Sequence, residues 1–259
     1  MSFKDRLKKA DVRVLTLDIE NYAAVARVWG LWDVNVGLSQ LEKPSRTFGV
    51  AYKWYDEKEA HFVSEFDSTP EEMFTKVHAL LCEADIVLHF NGTSFDIPHL
   101  NKHFALLGMK PPSPYKQVDL LRVVRKQFKF MSNKLDHVAD QLGLGRKTSH
   151  QGFELWAKCE QGDKKAQALM TKYAKQDVLL TEKLYNRLLP WIQNHPHLGM
   201  WIGSEWVCSN CGKDIDPENP SGTAHTFNQQ YNSFQCTDCG HWLRSSRNKG
   251  VSLKTRSAK

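Results

Sequence analysis

Two short cysteine pairs near the end of the chain, Cys208-Ser-Asn-Cys211 and Cys236-Thr-Asp-Cys239, restrict the fold more than any other feature of this sequence. A C-x-x-C turn aims both sulfurs the same way. Gly212 and Gly240, each directly after the second cysteine of a pair, permit the tight backbone turn such a knuckle needs. The stretch between the pairs, Gly212 to Gln235, is too short to bury much apolar surface, so a module built on them takes much of its folding energy from a bound ion. The start of the chain, MSFKDRLKKADVRVLTLDIE, lacks the apolar stretch and cleavage site of a secretory signal. In such a chain paired C-x-x-C reads as a zinc site rather than as disulfides. Cys208, Cys211, Cys236 and Cys239 are therefore expected to hold one structural Zn²⁺, with no open position for catalysis. Trp206, Tyr231, Phe234 and Trp242 flank them and either fill a miniature core or stack on single-stranded bases. Cys82 and Cys159 stand alone in helix-like sequence.

With 259 residues, 41% hydrophobic and 25% charged, the chain can form one sizeable core and a small second module. No run approaches the roughly 18 to 20 apolar residues of a membrane span, and the expected compartment is the cytoplasm. From Trp242 onward Arg244, Arg247, Lys249, Lys254, Arg256 and Lys259 face no acid, and they account for the whole formal charge of +6. Residues 244–259 read as a disordered basic tail, either merely solvated or attracting phosphate.

The rest divides into strands early and helices late. After a basic, frayed start, Val12 to Ile19 has the aliphatic and β-branched content of a buried strand. Thr47 to Trp54 and Ala60 to Glu65 suggest an antiparallel meander with it. Thr69, Pro70, Glu71 and Glu72 combine a hydroxyl cap, a first-turn proline and acids, the start of a helix running to about Glu83. A short strand, Asp85 to Phe90, stops at Asn91-Gly92 and leads into another helix. Helical spacing follows over Asp119 to Phe128, Lys134 to Leu142, Gly152 to Glu160 and Asp163 to Trp191. This order predicts a mixed α/β sheet domain over residues 10–191, a turn-rich linker over 192–204 and a zinc ribbon over 205–243.

Three elements carry the chemistry. In LDIE, Asp18 and Glu20 project from the same side of a strand, and two like charges there repel unless a cation or a proton intervenes. Asp96 follows the strand end at Asn91-Gly92 and enters a helix. Tyr173 and Asp177 lie one helical turn apart, on one face. Alone, each has an ordinary reading: a surface acidic pair, a helix cap, an exposed acid beside a packing tyrosine. Together LDIE, NGTSFD and YAKQD form an ordered set that resembles the three motifs of the DEDD superfamily of 3′–5′ exonucleases, in its tyrosine (DEDDy) branch, which has a ribonuclease H-like fold. VWGLWDVNVGLSQL and VDLLRVVRKQFKFMSNKLDHVADQLGLGRKTSHQGFELW further resemble stand-alone bacteriophage exonucleases of that superfamily.

The resemblance implies a ribonuclease H-like mixed sheet flanked by helices. It also implies hydrolysis of DNA from single-stranded 3′ ends, releasing nucleoside 5′-monophosphates. Asp18, Glu20, Asp96 and Asp177 would hold two Mg²⁺ or Mn²⁺ ions about 4 Å apart, as hard oxygen ligands suit. Tyr173 would orient the attacking water, and Asn91 and Phe95 would touch substrate. Asn91 as a turn residue and Phe95 as core are the structural alternatives. Asn21 stands where many relatives have a small hydroxyl residue. Lys134, His137, Lys147 and His150 could line a phosphate path but read as ordinary surface residues and are left out of the site. Nucleic acid is the implied partner, DNA favoured over RNA, with a separate replication polymerase for any proofreading and no membrane. The competing functions are an RNA exonuclease or structure-specific nuclease on the same fold, and a catalytically silent nucleic-acid-binding protein acting through the ribbon and tail.

Overall fold

The computed structural model describes residues 1–146 and 152–250. They form two compact units, one of Arg13–Tyr185 and one that joins Met1–Val12 to the described residues from Asn186 on. In chain order the elements are α1 (Phe3–Lys9), β1 (Val14–Tyr22), β2 (Val25–Ala26), β3 (Leu41–Lys43), β4 (Arg46–Trp54), β5 (His61–Ser64) and α2 (Pro70–Glu83). There follow β6 (Ile86–His89), α3 (Asp96–Leu106), β7 (Lys116–Asp119), α4 (Leu120–Gln127), α5 (Leu135–Gln141), α6 (Phe153–Glu160) and α7 (Lys164–Leu188). After a 3₁₀ turn at Leu189–Trp191 come α8 (Gly199–Ile202), β8 (Gly222–His225), β9 (Gln230–Gln235) and β10 (Trp242–Arg244).

The larger unit is built on a five-stranded sheet in the order β5-β4-β1-β6-β7. β5, β4 and β1 pair antiparallel, while β1, β6 and β7 pair parallel, so the sheet is mixed as the sequence suggests. β1 sits at its centre, which explains the nearly unbroken aliphatic run: both faces are covered. On one face Leu15, Leu17 and Ile19 join Val50, Tyr52 and Trp54 of β4 against Met73, Phe74, Val77 and Leu81 of α2 and Ile97, Leu100 and Phe104 of α3. On the other, Ala51 and Ala60 leave room for Ala174 and Val178 of α7, and Phe48 and Tyr22 pack on Leu155, Met170 and Tyr173. α7 can run so long because Ala166, Met170, Tyr173, Ala174, Asp177, Val178, Thr181 and Leu184 fall at helical spacing and are all buried.

Local signals are realised where the sequence placed them. Thr69 accepts from the Glu72 N–H and Glu72 returns a bond to the Thr69 N–H, closing the capping box. Asp163 accepts from the N–H groups of Lys165 and Ala166 and opens α7. β7 was not foreseen: the helix expected from Asp119 begins after it, and Asp119 is both the last strand residue and the cap of α4. The β2–β3 pair is likewise new, and the chain between its strands leaves Trp29 and Trp32 exposed.

The smaller unit corrects three expectations. The basic start is not frayed: Ser2 and Asp5 form a capping box for α1, and Arg6, only 5% exposed, donates to the Cys211 carbonyl (2.7 Å), the Met1 carbonyl (2.7 Å) and Asp238 (2.8 Å). Residues 192–204 are not a bare linker, since Leu198 and His195 are buried and α8 lies within them. The chain from Arg244 to Lys249 is not a disordered tail: the N–H of Ser245 donates to the Asn232 carbonyl, that of Lys249 to the Gln230 carbonyl, and Arg244 lies 4.1 Å over the Tyr231 ring. Its backbone groups continue the edge of the three-stranded β10-β9-β8 sheet. Lys254, Arg256 and Lys259 lie outside the described residues. No helix among the described residues is long and apolar enough to cross a membrane.

Candidate metal-binding sites

The pleat of β1 turns Asp18 and Glu20 to the face covered by α7, which brings Asp177 over them. Carboxylate oxygens of Asp18, Glu20 and Asp177 lie within 4.8 Å of one another. Glu20 and Asp177 are buried and Asp18 half-buried. Three carboxylates at this spacing, withdrawn from water, repel strongly unless a cation or protons neutralise them, so the donor set fits a divalent ion with hard oxygen ligands.

Asp96 comes from a different element and is not among the carboxylates that converge within 4.8 Å. β6 accompanies β1 only along Val14–Thr16. Past that point the N–H of Ile19, the residue between Asp18 and Glu20, donates to the Asp96 carboxylate at 3.0 Å. Burial pushes the Asp96 carboxyl up to about 7, the Ile19 hydrogen bond opposes this, and the charge of Asp119 adds to it. The strand-to-helix turn that delivers Asp96 is held by Asp119, which accepts from the N–H groups of Asn91 (2.9 Å) and Thr93 (3.3 Å). Asn91 has φ 74°, the left-handed region that asparagine tolerates. Gly92 donates its N–H to His89 Nδ1 at 3.0 Å, and a Cβ on Gly92 would lie 2.4 Å from that ring. His89, whose affinity for a proton is lowered by burial, faces Gln117 Oε1 with Nε2 at 3.0 Å. Phe95 is not core: it is 42% exposed, and its ring and that of His99 meet edge to face, with centres 4.6 Å apart.

Tyr173 is buried one turn before Asp177. Its ring meets Trp156 of α6 edge-on, with centres 5.9 Å apart, and the Trp156 indole N–H donates to Glu20 at 3.2 Å. Trp156 thus connects Glu20 to Tyr173, a role sequence reading missed, although the residue lies within the quoted HQGFELW segment. Asp119, His89 and Gln117 were missed as well; an aspartate, a histidine and a glutamine at the ends of two short strands gave no local signal. Asn21 accepts from the Thr47 hydroxyl at 2.7 Å, so the unusual residue after D-x-E is held in the sheet. Lys134 and His137 lie on or just before α5, exposed and half-buried, and Lys147 and His150 lie outside the described residues.

The four cysteines of the smaller unit also converge within 4.8 Å. Sulfurs of Cys208 and Cys239 are 3.6 Å apart and those of Cys211 and Cys236 3.5 Å apart. A tetrahedron of thiolates at about 2.3 Å from a central ion has edges of about 3.8 Å, close to both values. Hydrogen bonds among the four thiols hold Cys211 and Cys236 below the ordinary cysteine range and push Cys208 and Cys239 above it. Gly212 and Gly240 take φ 67° and 78°, and their N–H groups donate to the carbonyls of Cys208 (2.8 Å) and Cys236 (2.9 Å). The two knuckles therefore repeat one turn, and the set could hold a metal ion.

A family model described as the RNase_H superfamily matches residues 35–189, a span that includes Asp96, Tyr173 and Asp177 and begins after β1. Among solved structures, the chain is similar to a family B DNA polymerase from the hyperthermophilic archaeon Pyrobaculum calidifontis, at 20% identity and a TM-score of 0.52. That likeness covers 69% of this chain but 25% of the polymerase, so it speaks for a shared fold over part of a much longer protein. No match is found among curated proteins. Since the matched family span covers more than half of the chain and takes in most of the mixed sheet together with α7, the chain belongs to the RNase_H superfamily.

Proposed function

We propose that this protein is a metal-dependent 3′–5′ exonuclease that hydrolyses single-stranded DNA ends and releases nucleoside 5′-monophosphates. The observation that carries this reading is the convergence of Asp18, Glu20 and Asp177, with Asp96 fastened to the amide between the first two. These four acids would hold two Mg²⁺ or Mn²⁺ ions, hard cations suited to carboxylates. When bound, such ions activate water and stabilise charge on the attacking and leaving oxygens of a phosphodiester. Trp156 fixes the Glu20 carboxylate and abuts Tyr173, so the tyrosine ring is restrained beside the acids. An ordinary tyrosine is a poor base near neutral pH, so Tyr173 serves to orient the attacking water.

Phe95 presents an exposed aromatic face beside Asp96, suited to stacking on the terminal base, and Asn91 lies at the same turn. DNA is the substrate favoured here because one structural neighbour is a DNA polymerase, and a separate polymerase would be the partner in any proofreading role. The four cysteines hold one Zn²⁺ in a structural ribbon, consistent with their tetrahedral spacing and with glycines at both knuckle turns.

Digestion of 5′-labelled single-stranded DNA and RNA, with Mg²⁺ or Mn²⁺, tests this. The expected result is a ladder shortening from the 3′ end, faster on DNA, abolished by Asp18→Asn and slowed by Tyr173→Phe. A ladder on RNA alone would change the substrate. Internal cuts, or cutting indifferent to Asp18→Asn, would contradict the reading.

A further inference from the structure

The smaller unit contains a cavity of about 590 Å³, within the size range of small-ligand sites. Its apolar lining comes from Val207, Ile215, Phe234 and Leu243, and its rim carries Trp206, Arg244 and Arg247. Trp206 is 42% exposed, and its ring is braced edge-on by the buried Phe234, with centres 5.6 Å apart. A large aromatic ring held by a buried neighbour and left partly in water is poised to stack.

Of the two arginines, Arg247 presents the cation: the Arg244 guanidinium lies 4.1 Å over the ring of Tyr231, which alternates with Phe234 and so sits on the opposite face of β9. Arg247 follows a turn pinned by the Ser245 hydroxyl, which donates to the Arg247 carbonyl at 2.7 Å. Glu205 is the carboxylate on the lining. In the sequence the chain continues past the cavity with Lys249, Lys254, Arg256 and Lys259 and no acid, which favours a polyanion as occupant over a neutral or cationic ligand. An apolar slot with a stacking ring and a guanidinium at its rim matches the alternation of base and phosphate in a single strand.

We infer that this cavity is a nucleic-acid site separate from the carboxylate cluster, taking a base of single-stranded DNA against Trp206 and an adjoining phosphate on Arg247. It does not depend on the carboxylates being catalytic, and binding to it is measurable without hydrolysis.

The test is fluorescence anisotropy of labelled oligothymidylate with the full-length, zinc-loaded Asp18→Asn protein over a series of salt concentrations. Trp206→Ala is expected to weaken binding roughly five-fold or more, and Trp206→Tyr to restore part of the loss. Arg247→Ala is expected to lower the salt slope by about 0.7, the contribution of one phosphate on a single strand. Zinc content reports whether the fold survives, and if Trp206→Ala loses zinc, the exposed Arg247 decides alone. Absent binding by the parent, or affinity and salt slope unchanged in Arg247→Ala, would overturn the inference. Binding that responds to these variants in a protein whose wild type hydrolyses nothing would uphold this site and remove the nuclease.

Discussion

The cysteine cluster and the carboxylate cluster reach the same spacing of ligand atoms by opposite routes. Cys208 with Cys211, and Cys236 with Cys239, are each brought together by one local turn, and Arg6 of α1 then ties to both knuckles through the Cys211 carbonyl and Asp238. Asp18, Glu20 and Asp177 come from the central strand and the last long helix, with Asp96 from a third element, so no local turn can assemble them. The first cluster can be gathered by an ion and then organise its surroundings. The second presupposes a finished sheet, and its like charges oppose the folding that brings them together. Loss of a ligand should therefore act on stability in one unit and on chemistry in the other.

The strongest challenge to this contrast is Cys208→Ser. With about 10–16 kcal/mol of metal-binding free energy at stake, the variant should lose its zinc and the order of the smaller unit, as metal analysis and calorimetry would show. The transition of the Arg13–Tyr185 unit should persist. Next is Lys53→Met. Lys53 is 3% exposed and bonded to Glu182 at 2.6 Å, and losing that charge-assisted bond should cost about 1.5–3 kcal/mol in the urea stability of the larger unit. Zinc content should not change.

Trp156→Phe sharpens the comparison on the chemical side. It keeps a ring against Tyr173 but removes an indole donor to Glu20, a charge-assisted bond of about 1.5–3 kcal/mol, so kcat should fall roughly ten- to hundredfold and the melting temperature by several degrees. The smallest effect concerns pH. His103 accepts from the Thr47 N–H through Nε2 at 3.3 Å, and burial lowers its pKa to about 4 from 6.5. The unfolded chain therefore takes up that proton first, so stability present above 6.5 is lost as pH falls toward 4. His103 is partly exposed, which limits the loss to about 1 kcal/mol, and His103→Gln should flatten the pH dependence of the melting temperature in that window.

What the sequence made legible were features whose partners lie close by. The alternation of Asp18 and Glu20 along β1, the Thr69 capping box and the glycines after each cysteine pair are visible within a few residues, and each stands in the structure as read. β7 was illegible because Lys116–Asp119 is a strand only through its pairing with β6. Trp156 and Glu20 are separated by 136 residues, and no periodicity announces a hydrogen bond between them. Arg6 looked like one more solvated cation because its acceptors lie at the far end of the chain. Asp96 was read correctly as a strand-to-helix acid, but the bond that places it, to the Ile19 amide, depends on β6 stopping short of β1.

The central claim is that acids from separate elements form one divalent-ion site. It is tested most directly by titrating the zinc-loaded protein with Mn²⁺ and following the free ion by electron paramagnetic resonance, wild type beside Asp177→Asn. The account predicts Mn²⁺ binding by the wild type, weakened at least about tenfold in Asp177→Asn with zinc content unchanged. Equal Mn²⁺ binding by both proteins would contradict it.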